Sequence, residues 1–226
     1  MTSNLNSEIS RNLFLVNSKI EKACQLYKKD KSKVNLIAVS KTQTVEKIKE
    51  AIKLGCKNFG ENYIKEAVEK WSKIRQENPE IKLHLIGHLQ SNKAEEAIEL
   101  FDIIQTLDSE KLALIFQKEI IKQKKNPEFF IQVNIGEEQQ KGGIAPDAVK
   151  KFTEFSRDKC GLNVTGLMCI PPNSESASPY FALLAKLAKE NNLKNLSMGM
   201  SSDFEEAIAL DANYIRIGTA IFGERK

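Results

Sequence analysis

The residues of this chain that could do chemistry are few. In Leu36-Ile37-Ala38-Val39-Ser40-Lys41-Thr42, an apolar run delivers Lys41 at its end, and a neutral lysine amine can form a Schiff base with a carbonyl compound. Near the C-terminus, Met200-Ser201-Ser202-Asp203 and Gly218-Thr219-Ala220 combine hydroxyls, a close-approach glycine and helix starts. Backbone N–H groups and the helix dipole make such segments suited to holding phosphate. Arg216 lies two residues before Gly218 on an otherwise apolar stretch, so its side chain shares a face with Tyr214 and Gly218. A buried guanidinium there needs an acceptor, either an interior carboxylate or a group on a ligand. His84 and His88 suggest a metal, but Gly87 and the strand pattern separate them and no third ligand is near in sequence. His84 then reads as a satisfied barrel or pocket histidine. Asn62, after Phe59-Gly60-Glu61, and the loop Gly87-His88-Leu89-Gln90-Ser91-Asn92-Lys93 are expected at the same mouth as Lys41. Tyr63 and Trp71 fit core or helix packing.

The elements that must position these residues alternate. Ile9, Leu13, Val16, Ile20, Ala23 and Tyr27 recur at three- and four-residue steps, predicting an amphipathic helix over residues 7 to 28. The Lys41 strand follows, and Thr44 can cap a helix bearing Val45, Ile48 and Ile52. A short strand around Phe59 leads to a helix from Tyr63 to about Ile74. Residues 81 to 87 make a strand, and Ser91 or Asn92 can cap a helix through Leu100. The next strand is 101 to 105, and Asp108-Ser109 opens a helix to near Lys125. Residues 129 to 135 and 164 to 170 are strands, with Pro146 in the first turn of a helix between them and Pro171-Pro172 stopping the second. A helix over 180 to 191, a strand from 196, a helix over 204 to 210 capped by Asp203, a strand over 214 to 219 and a short helix over 220 to 222 complete the chain.

Counted from Lys41, strand and helix alternate about eight times with short connections, the pattern of a closed (β/α)8 TIM-type barrel. A doubly wound open sheet is the alternative, and its G-x-G-x-x-G signature after the first strand is absent. No linker divides the chain. The expectation is one domain over 1–226, with 1–30 a helical cover and 34–223 the barrel.

Composition agrees with a globular protein: of 226 residues, 41% are hydrophobic and 28% charged. The net charge of +4 comes from 34 basic and 30 acidic residues, and the lysines are spread along the chain, which argues against nucleic acid as a partner. No secretory signal opens the sequence and no run is long enough to span a bilayer, so a cytoplasmic protein without membrane attachment is expected. Cys24, Cys56, Cys160 and Cys169 show no paired spacing and read as buried thiols in a reducing compartment.

A lysine at one strand end, a phosphate cradle at the last two and an arginine between them form a coherent set for pyridoxal 5′-phosphate. The lysine would carry the Schiff base, the cradle the phosphate, and the arginine would face the pyridine nitrogen. The same stretches resemble the pyridoxal phosphate homeostasis proteins, a vitamin B6 family whose members are called YggS, PROSC or PLPHP. The matching segments are Ala38-Val39-Ser40-Lys41-Thr42, Phe59-Gly60-Glu61-Asn62-Tyr63, His84-Leu85-Ile86-Gly87 through Gln90-Ser91-Asn92-Lys93, Gly166-Leu167-Met168, Ser197-Met198-Gly199-Met200-Ser201 and Arg216 to Gly223. Leu83, before His84, stands where the family commonly has an aromatic residue.

The resemblance implies a barrel like the N-terminal domain of alanine racemase, with Lys41 as the cofactor lysine. It implies phosphate contacts from Ser201, Gly218 and Thr219, and Arg216 near the ring nitrogen. The full set expected at the cofactor is Lys41, Asn62, His84, Ser201, Arg216, Gly218 and Thr219, with no catalytic residue and no metal. One function is a monomeric carrier that holds the cofactor reversibly and delivers it to pyridoxal-phosphate-dependent apoenzymes. The other is a racemase-like enzyme acting on amino acids. The sequence ends at Lys226 just after the last strand, without the second domain whose tyrosine the resembling racemases use, so turnover is not expected. A metal-dependent hydrolase would need a carboxylate and histidine cluster that the sequence lacks.

Overall fold

The computed structural model describes residues 7–173 and 176–224. Helix α1 (Glu8–Leu26) starts where Ser7 Oγ accepts from the Ser10 N–H at 3.0 Å, and it buries Ile9, Leu13, Val16, Ile20 and Ala23 on one face. That face lies on the outside of the helical layer formed by α2 (Val45–Lys53), α8 (Phe204–Ala209) and α9 (Thr219–Phe222).

Eight parallel strands pair in chain order and close: β1 (Asn35–Val39), β2 (Asn58–Glu61), β3 (Lys82–Leu85), β4 (Ile103–Leu107), β5 (Glu128–Val133), β6 (Asn163–Cys169), β7 (Asn195–Ser197) and β8 (Tyr214–Ile217). Closure is made by β1 on β8, with Ile37 opposite Arg216, so the open-sheet alternative does not hold. The remaining helices α3 (Ile64–Glu77), α4 (Ala94–Leu100), α5 (Glu110–Gln123), α6 (Val149–Glu154) and α7 (Ser178–Glu190) complete the outer ring. The main core lies between strands and helices, where the outward strand residues Ala38, Phe59, Leu83, Leu85, Ile104 and Phe129 meet Ile48, Ala67, Trp71, Ile98 and Phe116. Inside the barrel a smaller apolar group of Ile103, Phe130 and Met168 touches Tyr214. The alternation of inward and outward side chains along each strand separates the two.

Several local readings need correction. Lys41 sits two residues past β1, in a turn rather than on the strand. Thr44 and Ser109 do cap α2 and α5. Asp203 occupies the N-cap position of α8, but its carboxylate accepts from the Met200 N–H at 2.6 Å and so braces the preceding loop instead of the helix. Neither Ser91 nor Asn92 caps α4, which is entered through a 3-10 turn at Ser91–Lys93. Trp71 is buried as expected, whereas Tyr63 is 63% exposed, because it precedes α3 at the barrel rim where no helix covers it.

Candidate functional site

At the C-terminal end of the strands a cavity of about 320 Å³ opens, within the range of small-molecule sites. It is lined by Lys41, Asn62, Ser201, Arg216, Gly218 and Thr219, with Val39, Ile86, Ile170 and Met200 as apolar walls and Ser202 beside Ser201. Six of the seven residues expected at a cofactor thus meet in one place, contributed by the ends of β1, β2, β7 and β8. Each arrives because the strand before it is pinned in register: Val39 lies opposite Gly60, and Ser197 opposite Tyr214.

Glycines set the approach of the loops. A Cβ on Gly87 would lie 2.3 Å from the Asn62 carbonyl oxygen, so only glycine lets the exit of β3 pack on the backbone that presents Asn62. Gly199 has φ +88° and faces Ala207 of α8, which fixes how Met200, Ser201 and Ser202 turn over the cavity. The first N–H groups of α9, at Thr219 and Ala220, have no partner within their own helix, as at every helix start. Together with the Ser201, Ser202 and Thr219 hydroxyls they suit an anionic oxygen cluster. Asn62 Oδ1 is buried without a hydrogen-bond partner among the described residues, a polar atom left to a ligand.

Arg216 is 4% exposed. Its Nη1 donates to Ser197 Oγ at 2.7 Å and its Nη2 to the Cys169 carbonyl at 2.8 Å. The acceptors are therefore neutral, not the interior carboxylate that was one possibility, and burial pulls the guanidinium below its ordinary pKa.

His84 does not reach the cavity. Ile86, two residues further along the chain, lines it, and His84 lies one layer below, with both ring nitrogens engaged inside the barrel. Gln105 Nε2 is 3.0 Å from His84 Nδ1, and His84 Nε2 is 3.1 Å from Asn58 Oδ1. Ser197 Oγ donates to Gln105 Oε1 at 2.6 Å, which joins this pair to Arg216. Burial pushes the His84 imidazole down to about 3, so it is neutral at physiological pH. Asn58, Gln105 and Ser197 were missed in the sequence. The signal available was polar residues at inward positions of apolar strands, where each requires a partner. His88 is exposed at the rim, 3.8 Å from the Asp108 carboxylate, whose pKa burial raises. Among the described residues, no group of three or more His, Cys, Asp or Glu side chains is arranged to hold a metal.

Residues 17–226 match the family described as alanine racemase, N-terminal domain. A pyridoxal phosphate homeostasis protein of Aquifex aeolicus is 37% identical over 217 residues, covering 92% of this chain and 94% of its own. Another, of Vibrio cholerae, is 38% identical over 227 residues, covering 96% of each. The solved structure of PipY of Synechococcus elongatus with PLP bound superposes with a TM-score of 0.75 at 33% identity, covering 91% of this chain and 100% of that one.

Proposed function

The chain belongs to the pyridoxal phosphate homeostasis protein family, and to the wider family of the alanine racemase N-terminal domain, and from this premise we propose that it binds pyridoxal 5′-phosphate at the barrel mouth. The observation that carries the reading is that Lys41 and the anion-suited ends of β7 and β8 line one cavity. The residues fit the group: a lysine amine, hydroxyls and helix-start N–H groups for a phosphate, a buried guanidinium, and Asn62 Oδ1, without a hydrogen-bond partner among the described residues, for a further polar substituent. Gly218 agrees, since a Cβ there would make only ordinary contact with Val39 at 3.4 Å, so protein packing alone does not require a glycine.

When bound, pyridoxal phosphate supplies an aldehyde that an amine can join reversibly. Lys41 presents that amine from a turn at the rim. Ser201, Gly218 and Thr219 would hold the phosphate, and Arg216, fixed by Ser197 and Cys169, would face the ring nitrogen as a donor. Asn62 and the apolar walls orient the ring. Such a site holds the cofactor by one reversible bond and one anion cradle, which suits a monomeric buffer that later gives it up to apoenzymes.

A racemase-like role is the other reading. Proton transfer at a substrate carbon on both faces needs two acid/base groups. Among the side chains lining the cavity, Lys41 supplies the one amine, and the rest of the polar lining is hydroxyls, an amide and a guanidinium. The lining therefore supports a carrier. The four cysteines include no disulfide, and no helix among the described residues is long and apolar enough to cross a membrane, which supports a cytoplasmic assignment. The test is borohydride reduction of the loaded protein followed by peptide mass spectrometry. The pyridoxyl group is expected on Lys41; a group on another lysine, with Lys41→Ala equally loaded, overturns the assignment.

A further inference from the structure

The turn that carries Lys41 is held from behind by charged residues on β2 and α3 that do not line the cavity. Lys41 is the second residue of a turn in which the Gln43 N–H donates to the Ser40 carbonyl at 3.1 Å. The third residue, Thr42, has φ +64°, a left-handed conformation that a β-branched side chain adopts at a cost. A strained turn persists only where its surroundings over-determine it.

The surroundings do so at both flanks of Lys41. On one side, the Ser40 N–H donates to the Gly60 carbonyl at 3.0 Å and Ser40 Oγ donates to Glu61 Oε1 at 2.7 Å. The Ser40 carbonyl also accepts from Lys70 Nζ at 2.8 Å. On the other side, the Thr42 N–H donates to Glu66 Oε1. The two sides meet at Lys70, whose ammonium lies 2.7 Å from Glu61 Oε1 and 2.9 Å from Glu66 Oε1. An ammonium has three N–H donors, and here the three acceptors are the Ser40 carbonyl and these two carboxylates. Trp71 Nε1 donates to the same Glu61 oxygen at 2.9 Å and packs on Phe59, which fixes the carboxylate from below. Glu61 is fully buried and the Lys70 side chain is 10% exposed, so solvent does little to screen the set.

We propose that Lys70, with Glu61 and Glu66, is a positioning device for Lys41: it locks the Ser40–Gln43 turn so that the lysine amine is presented to the cavity in one orientation. The inference rests on the reading of Lys41 as the cofactor lysine. A merely structural ion cluster would tie α3 to the barrel through side chains. This one also bonds the backbone carbonyl before Lys41 and the backbone N–H after it. Loss of Lys70 leaves the buried Glu61 carboxylate and the partly exposed Glu66 carboxylate without their shared cation and lets the strained turn relax, which moves the amine without altering the phosphate cradle at β7 and β8.

The experiment separates reach of the amine from integrity of the pocket. Full-length wild type, Lys70→Met and Glu66→Gln are each titrated with pyridoxine 5′-phosphate, which has the ring and phosphate but no aldehyde. They are then mixed with pyridoxal 5′-phosphate and quenched with borohydride at successive times to give the rate of adduct formation on Lys41. The expected result is unchanged affinity for pyridoxine 5′-phosphate in both variants. In Lys70→Met the adduct should form roughly tenfold or more slowly, as misplacement of a reacting group by an ångström or so produces. Glu66→Gln, whose amide oxygen can still accept from Thr42, should show a smaller delay and serves if Lys70→Met does not fold. An unchanged adduct rate in the folded variants overturns the proposal, and so does an equal loss for both ligands, which marks a structural role. A wild-type adduct on another lysine overturns the Lys41 reading itself, and this inference with it.

Discussion

Gln105 Nε2 lies 3.0 Å from His84 Nδ1, and because an amide nitrogen can only donate, the contact makes Nδ1 an acceptor and puts the imidazole proton on Nε2. That proton meets Asn58 Oδ1, while Gln105 Oε1 receives the Ser197 hydroxyl and Ser197 Oγ receives Arg216. With this tautomer and these amide orientations each of the four contacts pairs a donor with an acceptor.

A stability prediction comes from this tautomer. The folded state holds His84 near a pKa of about 3, whereas the unfolded chain binds a proton near the ordinary histidine value of 6.5. Between those values the unfolded state carries more protons, so stability is highest above pH 6.5 and is lost as pH falls toward 3. Urea unfolding at a series of pH values should show that slope, and His84→Gln, which retains a donor and an acceptor, should flatten it. An equally steep loss in the variant would assign the acid sensitivity to other groups.

The Ser201 and Thr219 hydroxyls should matter for the phosphate and little else. Each hydrogen bond to a charged acceptor contributes about 1.5 to 3 kcal/mol, or roughly ten- to a hundredfold in affinity. Calorimetry on Ser201→Ala/Thr219→Ala should show a strongly raised dissociation constant for pyridoxal 5′-phosphate and little change for pyridoxal. Equal losses for the two compounds would remove the phosphate role.

Gly87→Ala tests the approach of β3 to Asn62. The added Cβ would meet backbone atoms 2.3 to 2.8 Å away, so one of the two strand ends must shift. Overpacking of this kind costs about 1 to 3 kcal/mol. Denaturant titration should register that loss, and cofactor affinity should fall with it, since Asn62 moves. A variant with wild-type stability would show that the loop accommodates the methyl freely.

Amino-acid turnover is the remaining test. With Lys41 the one amine of the lining and no carboxylate, imidazole or phenol beside it, the loaded protein should not sustain α-proton exchange of L- or D-amino acids in deuterated water, followed by NMR. Sustained exchange that Lys41→Ala abolishes would establish the enzyme reading instead.

By itself, the sequence determined the barrel and most of its mouth. Strand and helix alternation is a local property, set by periodicities of two and 3.6, and a lysine, an arginine and paired loop hydroxyls at strand ends have one common destination in such a fold. Lys41, Ser201, Arg216, Gly218 and Thr219 were legible for that reason. What only the tertiary structure decided was which polar residues touch each other below and behind the mouth. His84 on β3 and Ile86 just past its end both face inward, and nothing in the local pattern says which of them reaches the cavity; the stagger of a closed barrel does. Glu61 and Lys70 read singly as a strand-end acid and a helix lysine. Their meeting at Ser40 depends on how α3 packs across β1 and β2, a relation between segments distant in sequence that no local periodicity encodes.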